Sequence, residues 1–446
     1  MHIESNAKLL LTCSNQFATL CASLYPGGLR SIKENTFKPL KISDMSQPAN
    51  NITQNQTRSQ LILKIGVVVV CRLVLSTSRR FAYPFAPALS RGLRVPLTAI
   101  TSLIAVNWAT SLLGFVVGPI SDRIGYRKMM ILAMVLLGIG MLAGGFMPYY
   151  AVMIVALFLA GMGKIIFDPA VQAYVSERVP YRRRGTAIGF LEISWAGSTL
   201  LGIPLIALLI DNVDWRAPFF AMGIIGILGA LAVALFFPGN QEAKTQAGPE
   251  PSYKEMLQIL VRDKPALGAM AYVFFFSAAI DNLFVVYGAW LEKAFEVGIV
   301  ALGLGTGVIG IAELVGEIMV ATASDRIGLK RAVTLGVMIG IVTYMLLPYI
   351  SLSFYLALAG LFVHFLVFEF TIISSVALCT ELRPEMRATI IAGFFAAAGL
   401  GRIVGALSGG PVWLTGGIVA TCMLSAGLTG LALMSLRWGL RGWGNH

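Results

Sequence analysis

The sequence predicts an all-α membrane protein of twelve transmembrane helices, built as two copies of one six-helix unit. Three observations carry that prediction. The 446 residues are 57% hydrophobic and only 13% charged, whereas a soluble domain carries about a quarter charged residues. The apolar residues fall into runs of bilayer length. One short polar motif occurs twice, in the same kind of place each time.

The runs lie at roughly 64–89, 95–117, 129–148, 150–175, 185–210, 216–237, 265–290, 298–320, 331–349, 353–378, 388–409 and 414–436. Most reach the ~20 residues an α-helix needs to span the hydrocarbon. Helix is the only option, because lipid cannot satisfy backbone groups and no alternating barrel pattern is present. Gly and Pro are frequent inside the runs, as membrane helices tolerate. The longest connection, Pro238 to Lys264, is polar and falls between runs six and seven. The expected organisation is therefore a tail over 1–60, a six-helix unit over 61–238, a linker over 239–263, a second unit over 264–437 and a short tail over 438–446.

The repeat follows. Ser121-Asp122-Arg123-Ile124-Gly125 returns as Ser324-Asp325-Arg326-Ile327-Gly328, and a basic pair trails each copy, Arg127-Lys128 and Lys330-Arg331. Glu177-x-x-Pro180-x-x-Arg183 returns as Glu381-x-x-Pro384-x-x-Arg387 at nearly the same offset. Two matches at one offset make coincidence a poor account, and internal repeats are a mark of transporters.

Loop charge sets the orientation. The joints after runs two, four, six, eight and ten and the tail after run twelve hold 18 Lys and Arg; the opposite side holds Arg91, Arg94, Arg216 and Lys293. The richly basic side reads as cytoplasmic, with both termini inside a plasma or inner membrane. Residues 1–60 read as a disordered cytoplasmic tail, with Met45 as an alternative start. The acceptor patterns at Asn51 and Asn55 carry no meaning on that side.

Other classes fit less well. A net charge of +12 could suggest nucleic acid, but no basic stripe stands apart from the loops. The five cysteines are scattered without a CxxC pair, so neither a disulfide frame nor a zinc site is implied. Gly305-x-Gly307-x-x-Gly310 matches a dinucleotide pattern but lies inside run eight with no preceding strand. There is no GxxxxGK[ST] and no HExxH. No enzyme, cofactor or metal is expected. The partners are a small-molecule substrate, a coupling proton and the lipid bilayer, with the chain acting as a monomer.

Charge inside the runs is the functional clue. Grouped in threes, the first members carry Arg79 and Arg80, Lys164 and Asp168, Asp281 and Asn282, and His364 and Glu369. The second members carry Asn107, Glu192, Glu313 with Glu317, and Arg402; the third members carry none in their interiors. A charge at the bilayer centre costs about 2.5–3.5 kcal/mol on insertion scales. These groups therefore face a polar interior, and the charge-free runs three, six, nine and twelve form the outer layer. Lys164 and Asp168 stand at i, i+4, which makes them either a self-neutralising pair or part of a substrate or proton site. An Arg79 or Arg80 contact with Asp281 is expected across the cavity. Asp281, Glu192 and Glu313 are the candidate proton carriers, since burial makes proton exchange the natural chemistry of such carboxylates. Glu317 reads as a gate salt bridge, and His364 as a cavity group that also suits simple packing.

The loop Gly118-Pro-Ile-Ser-Asp122-Arg-Ile-Gly125-Tyr-Arg127-Lys128 is similar to the G-x-L-a-D-R-x-G-R-K loop of the major facilitator superfamily. The resemblance runs from about residue 61 to 437. Ile120 and Tyr126 depart from the pattern, as does Ala321 at the first Gly of the second copy. The fifth-helix antiporter pattern is not cleanly present, because Gly197, Gly202 and Pro204 have other spacing. The resemblance implies two six-helix bundles related by a pseudo-two-fold axis around a central cavity, working by alternating access.

Conformational latches are expected at the basic face. Asp122 would face the positive end of helix eleven, and Asp325 that of helix five. Arg123 and Arg326 would pair with Glu177 and Glu381. Gly118, Gly125, Arg127, Lys128, Arg183, Gly328 and Arg387 complete the set. The expected function is proton-driven efflux of a small organic solute. Proton-coupled uptake of an organic anion or sugar is the alternative, and a non-transporting membrane sensor is a remote one.

Overall fold

A computed structural model describes residues 58–114, 117, 124–178, 194–237, 262–320, 322, 325–383 and 386–441. Residues 1–57, the linker over 239–261 and much of the basic-face loops lie outside the described residues. No strand occurs among the described residues.

The first helix, α1 (Arg58–Arg80), gives way to a turn over 81–85 and then to α2 (Ala86–Leu93). Pro87 near the start of α2 presets the helical φ and lacks an N–H that the first turn would leave idle anyway. Next come α3 (Leu97–Ala109), tightening into a 3-10 turn over Thr110–Leu113, then α4 (Tyr126–Phe146) and α5 (Tyr150–Arg178). The span α6 (Ser194–Asn212) contains a π-turn at Ser198–Gly202. Pro204 explains it: the ring has no N–H for the carbonyl four residues back and crowds it, so the helix widens there. α7 (Ala217–Phe236) completes the first half.

The second half repeats the plan. α8 (Lys264–Phe284) starts on Asp263, whose carboxylate accepts the Ala266 N–H at 3.2 Å. It breaks at Val285–Val286 and continues as α9 (Tyr287–Phe295). Then follow α10 (Ile299–Met319), α11 (Leu329–Ile350), α12 (Phe354–Leu382) and α13 (Arg387–Gly439). α13 holds runs eleven and twelve, divided where Gly417 adopts φ 61°, ψ −156°. Helix therefore occupies part of every predicted run. Nine helices among the described residues are long and apolar enough to cross a membrane, or ten if the bent pair α2 and α3 counts as one span.

The repeat is written in the backbone as well as in the sequence. Among the described residues only two non-glycine residues have positive φ, Arg94 (54°) and Glu296 (51°), and each ends the short helix after a break, α2 or α9. Gly125 and Gly328 have φ 94° and 85° and open α4 and α11. Only glycine sits there without strain, which is why both copies of the motif end on it.

Two symmetric contacts join the halves: α10 packs on α6, and the first part of α13 packs on α3. Within the second half, Gly401, Gly405 and Gly409 lie against the carbonyls of Phe274, Ala278 and Asn282. This four-residue spacing on both helices brings α13 and α8 into backbone contact, as small residues do in membranes. The outer-layer expectation holds for runs six and nine, where a third of the residues in α7 and in α11 are buried, against 78% across Lys264–Phe295. Run three departs from it. α4 is 56% buried, because its Gly138, Gly140 and Gly144 let α7 and α5 press close.

Candidate functional site

The break after α1 fixes the site. Helix spacing places Arg72, Arg79 and Arg80 on the inner part of α1, with Arg72 two turns before the pair. All three are buried. Being adjacent, Arg79 and Arg80 point to different neighbours.

Arg80 reaches the second half. Its Nη1 donates to Glu313 Oε2 at 3.0 Å and to Thr199 Oγ1 at 2.5 Å, while Nη2 bonds Glu313 Oε1. Thr199 donates in turn to Glu313 Oε2 at 3.1 Å. The guanidinium carbon lies 4.2 Å from the Trp195 ring centroid. Arg79 turns towards α3. Its Nε donates to Asn107 Oδ1 at 3.1 Å, and Nη2 to Ser111 Oγ at 3.0 Å. Its guanidinium carbon is 4.0 Å from the Trp108 ring centroid. Asn107 is held by its own bond to the Leu157 carbonyl at 2.7 Å.

The expected contact of Asp281 with Arg79 or Arg80 does not form. Asp281 is fully buried and accepts from Arg402 Nη1 at 2.8 Å and from Tyr83 Oη at 3.0 Å. The reason is reach. Arg402 stands on α13, which the glycine stripe holds against α8, so it is the nearer cation. Arg402 also lies over Trp108, at 4.3 Å from the centroid, and Trp108 Nε1 donates to Tyr83 Oη at 2.5 Å. One connected network thus runs through Asn107, Arg79, Trp108, Tyr83, Asp281 and Arg402, across both halves.

Lys164 and Asp168 form the i, i+4 pair at 2.6 Å, and Arg72 Nε joins Asp168 at 3.1 Å. Asn282 faces away from this network. It donates to the Thr421 carbonyl and Ser425 Oγ, each at 3.0 Å. His364 also sits apart, with Nδ1 against Thr343 Oγ1 at 2.8 Å and its ring against Tyr344. Glu369 is buried on α12 where Gly316 of α10 presses against it, one helical turn from Glu313. It makes no hydrogen bond among the described residues.

Of the expected latch, Gly118, Asp122, Arg123 and Arg183 lie outside the described residues, as do Glu192 and the side chains of Glu177 and Asp325. Arg326 and Glu381 are both exposed, and no ion pair joins them among the described residues. Arg387 Nε donates to the Thr380 carbonyl at 3.0 Å. Two basic residues after the motif reach helix ends. Arg127 donates to the Ala234 carbonyl near the end of α7, and Lys330 to the Leu440 carbonyl at 3.1 Å, just past α13. At the opposite face Gly288 of α9 presses on Pro84, Tyr83 stacks on Phe284 at 4.3 Å, and Arg91 pairs with Glu292 at 2.6 Å.

Sequence reasoning gave no role to Arg72, Tyr83, Trp108, Trp195 or Thr199. Arg72 was signalled by its spacing of seven and eight from the arginine pair. The others carry no charge, and only proximity in space marks them.

The comparisons agree with this architecture. A family model described as Major Facilitator Superfamily matches residues 68–406. The chain is similar to the uncharacterized MFS-type transporter YceJ of Bacillus subtilis (strain 168), with 24% identity over 69% of this chain and 77% of that protein. It is similar to a probable 4-methylmuconolactone transporter of Cupriavidus pinatubonensis, with 26% identity over 54% of this chain and 58% of that one. In fold it resembles the nucleoside transporter NupG, with TM-score 0.70 and 13% identity over 85% of this chain and all of that one.

Proposed function

The chain belongs to the major facilitator superfamily of membrane transporters, and on that premise we propose that it moves a small organic solute by alternating access, coupled to protons. The 4-methylmuconolactone of one relative and the nucleoside of one structural neighbour are solutes of that size. The observation that carries the reading is the way charge is shared inside the span. Arg72 and Lys164 hold Asp168, Arg80 holds Glu313, and Arg402 holds Asp281. A buried ion pair is a poor device for stability alone, and buried charge within a membrane span is a functional sign.

Among the described residues Glu369 makes no ion pair, and it neighbours the Arg80–Glu313 bridge. A proton can reach it without breaking an ion pair, so it replaces Asp281 as the proposed carrier. We read the direction as export driven by proton entry. An exporter would load from the basic face, which we take as cytoplasmic. Proton-coupled uptake of an organic anion or sugar is the second reading, the anion favoured because Arg79 has no carboxylate partner among the described residues.

The test is flux in proteoliposomes under an imposed pH gradient. Glu369→Gln should abolish gradient-driven accumulation while sparing exchange of substrate down its own gradient. Full accumulation by that variant would remove Glu369 from the proton path. No gradient-dependent flux in the wild type would remove proton coupling, and a protein that binds solute but never moves it would be a sensor.

A further inference from the structure

We propose that Arg79 is the receptor for the charged group of the substrate, which is a small organic carboxylate with an apolar body, bound beside Trp108 with Arg402 as a second cation nearby. The inference rests on the transporter reading and names the solute class. Every other cation of the network has a carboxylate partner, but Arg79 has none among the described residues. Its partners, Asn107 and Ser111, are neutral, and it is only 6% exposed. A buried charge without a counter-charge is costly, and it persists where a ligand supplies the missing charge.

The geometry around Arg79 is made for such a ligand. The guanidinium carbons of Arg79 and Arg402 lie 4.0 and 4.3 Å from the centroid of the same ring. Two cations so placed repel each other; Asp281 bonds Arg402, and among the described residues no carboxylate bonds Arg79. An anion bound to Arg79 relieves the repulsion. Donors remain for it: Arg79 Nη1, and Arg402 Nε and Nη2, make no hydrogen bond among the described residues. A planar fork of N–H groups suits the two oxygens of a carboxylate. Aromatic side chains nearby suit an apolar body. Phe368 lies 6.0 Å from the Arg402 guanidinium and stacks on Phe276 at 5.2 Å, while Tyr83 stacks on Phe284.

The experiment uses the detergent-purified full chain and four probes: benzoate, its neutral analogue benzamide, the cation benzylamine, and chloride at equal ionic strength. Thermal unfolding is followed against probe concentration. Benzoate should raise the midpoint of the wild type, and the other three should not. Arg79→Gln should weaken the benzoate response about tenfold or more, the scale of a lost charge-assisted hydrogen bond. Asn107→Asp provides a second check that leaves Arg79 in place. It exchanges the bond to the Leu157 carbonyl for an internal counter-charge, and it should weaken benzoate to a similar degree. No benzoate response overturns the inference, as does a wild-type response in both variants. An equal response to chloride makes the site one for inorganic ions, which also overturns it. A response to benzamide or benzylamine alone overturns the anion class and leaves transport standing. Transport itself fails separately, by absence of solute flux in proteoliposomes.

Discussion

Helices α1 and α8 are the same helix twice in backbone and opposites in charge. Each stops at a break near mid-span, resumes as a short helix and ends on a left-handed residue, Arg94 or Glu296. Yet α1 carries Arg72, Arg79 and Arg80 at its core, while α8 carries Asp281 and Asn282. Position Ser78 aligns with Asp281 in the repeat. The difference shows what a duplicated unit keeps. Backbone devices such as breaks, caps and glycine approaches are bound to the architecture, and both copies retain them. Side chains facing the interior are free to diverge, and here they diverge towards complementary sign, so that the first half is basic where the second is acidic.

The largest expected effect tests that complementarity. Glu313→Gln leaves Arg80 buried and unmatched and should cost about 3–5 kcal/mol, the penalty for breaking a buried pair from one side. Thermal unfolding in detergent measures it, and a double change of Arg80 and Glu313 to Met should recover most of the loss. If the single and double variants lose equally, the bridge is not what couples the halves.

Next is the pair inside the second half. Asp281→Asn should cost about 1.5–3 kcal/mol, the range for hydrogen bonds to charged groups. A double-mutant cycle with Arg402→Gln should show strong coupling between the two, and a cycle of Asp281→Asn with Arg80→Gln should show little. Coupling to Arg80 of equal size would restore the contact expected from sequence.

The third test addresses the shared backbone. Gly125→Ala and Gly328→Ala should each destabilise by about 1–3 kcal/mol, the cost of holding a residue in a sparsely populated φ/ψ region. The two losses should match, because the geometry does. A tolerated change at one site would show that the copies no longer make the same demand there.

The smallest effect belongs to the face opposite the motif. Arg91→Ala removes a pair to Glu292 in which Arg91 is 60% exposed. It should change stability by no more than about 1 kcal/mol, and less at high salt. A large loss would mean that contact at this face hangs on this pair rather than on the packing of Gly288 against Pro84.

Much of this was legible in the chain because the bilayer imposes simple rules. Length and apolarity located the helices. The repeated Ser-Asp-Arg-Ile-Gly motif foretold two halves, although the positive φ of its last glycine emerges only from the structure. Which charges meet was not legible. Arg402 reaches Asp281 because Gly401, Gly405 and Gly409 bring two helices together, and a stripe of glycines in an apolar run does not announce its partner. Trp108 and Tyr83 escaped for a similar reason, since an aromatic residue in a membrane helix is ordinary until two arginines are found on it. His364 and Asn282 show the converse. Polarity in a first-of-three helix suggested the cavity, but their hydrogen bonds point into packing between helices of the second half.

The glycine stripe also sorts the two ion pairs by how long each should last. It ends at Gly409 opposite Asn282, three residues before α8 breaks. Up to that point α8 and α13 are in backbone contact and travel as one beam, and Arg402 and Asp281 ride on it together. On the alternating-access reading proposed above, their bond would not have to open during a cycle. Arg80 and Glu313 sit on opposite sides of the joint between halves, so a swing of one half past the other would stretch them apart. On that reading two salt bridges of similar geometry would have different lifetimes: one a rivet, the other a clasp.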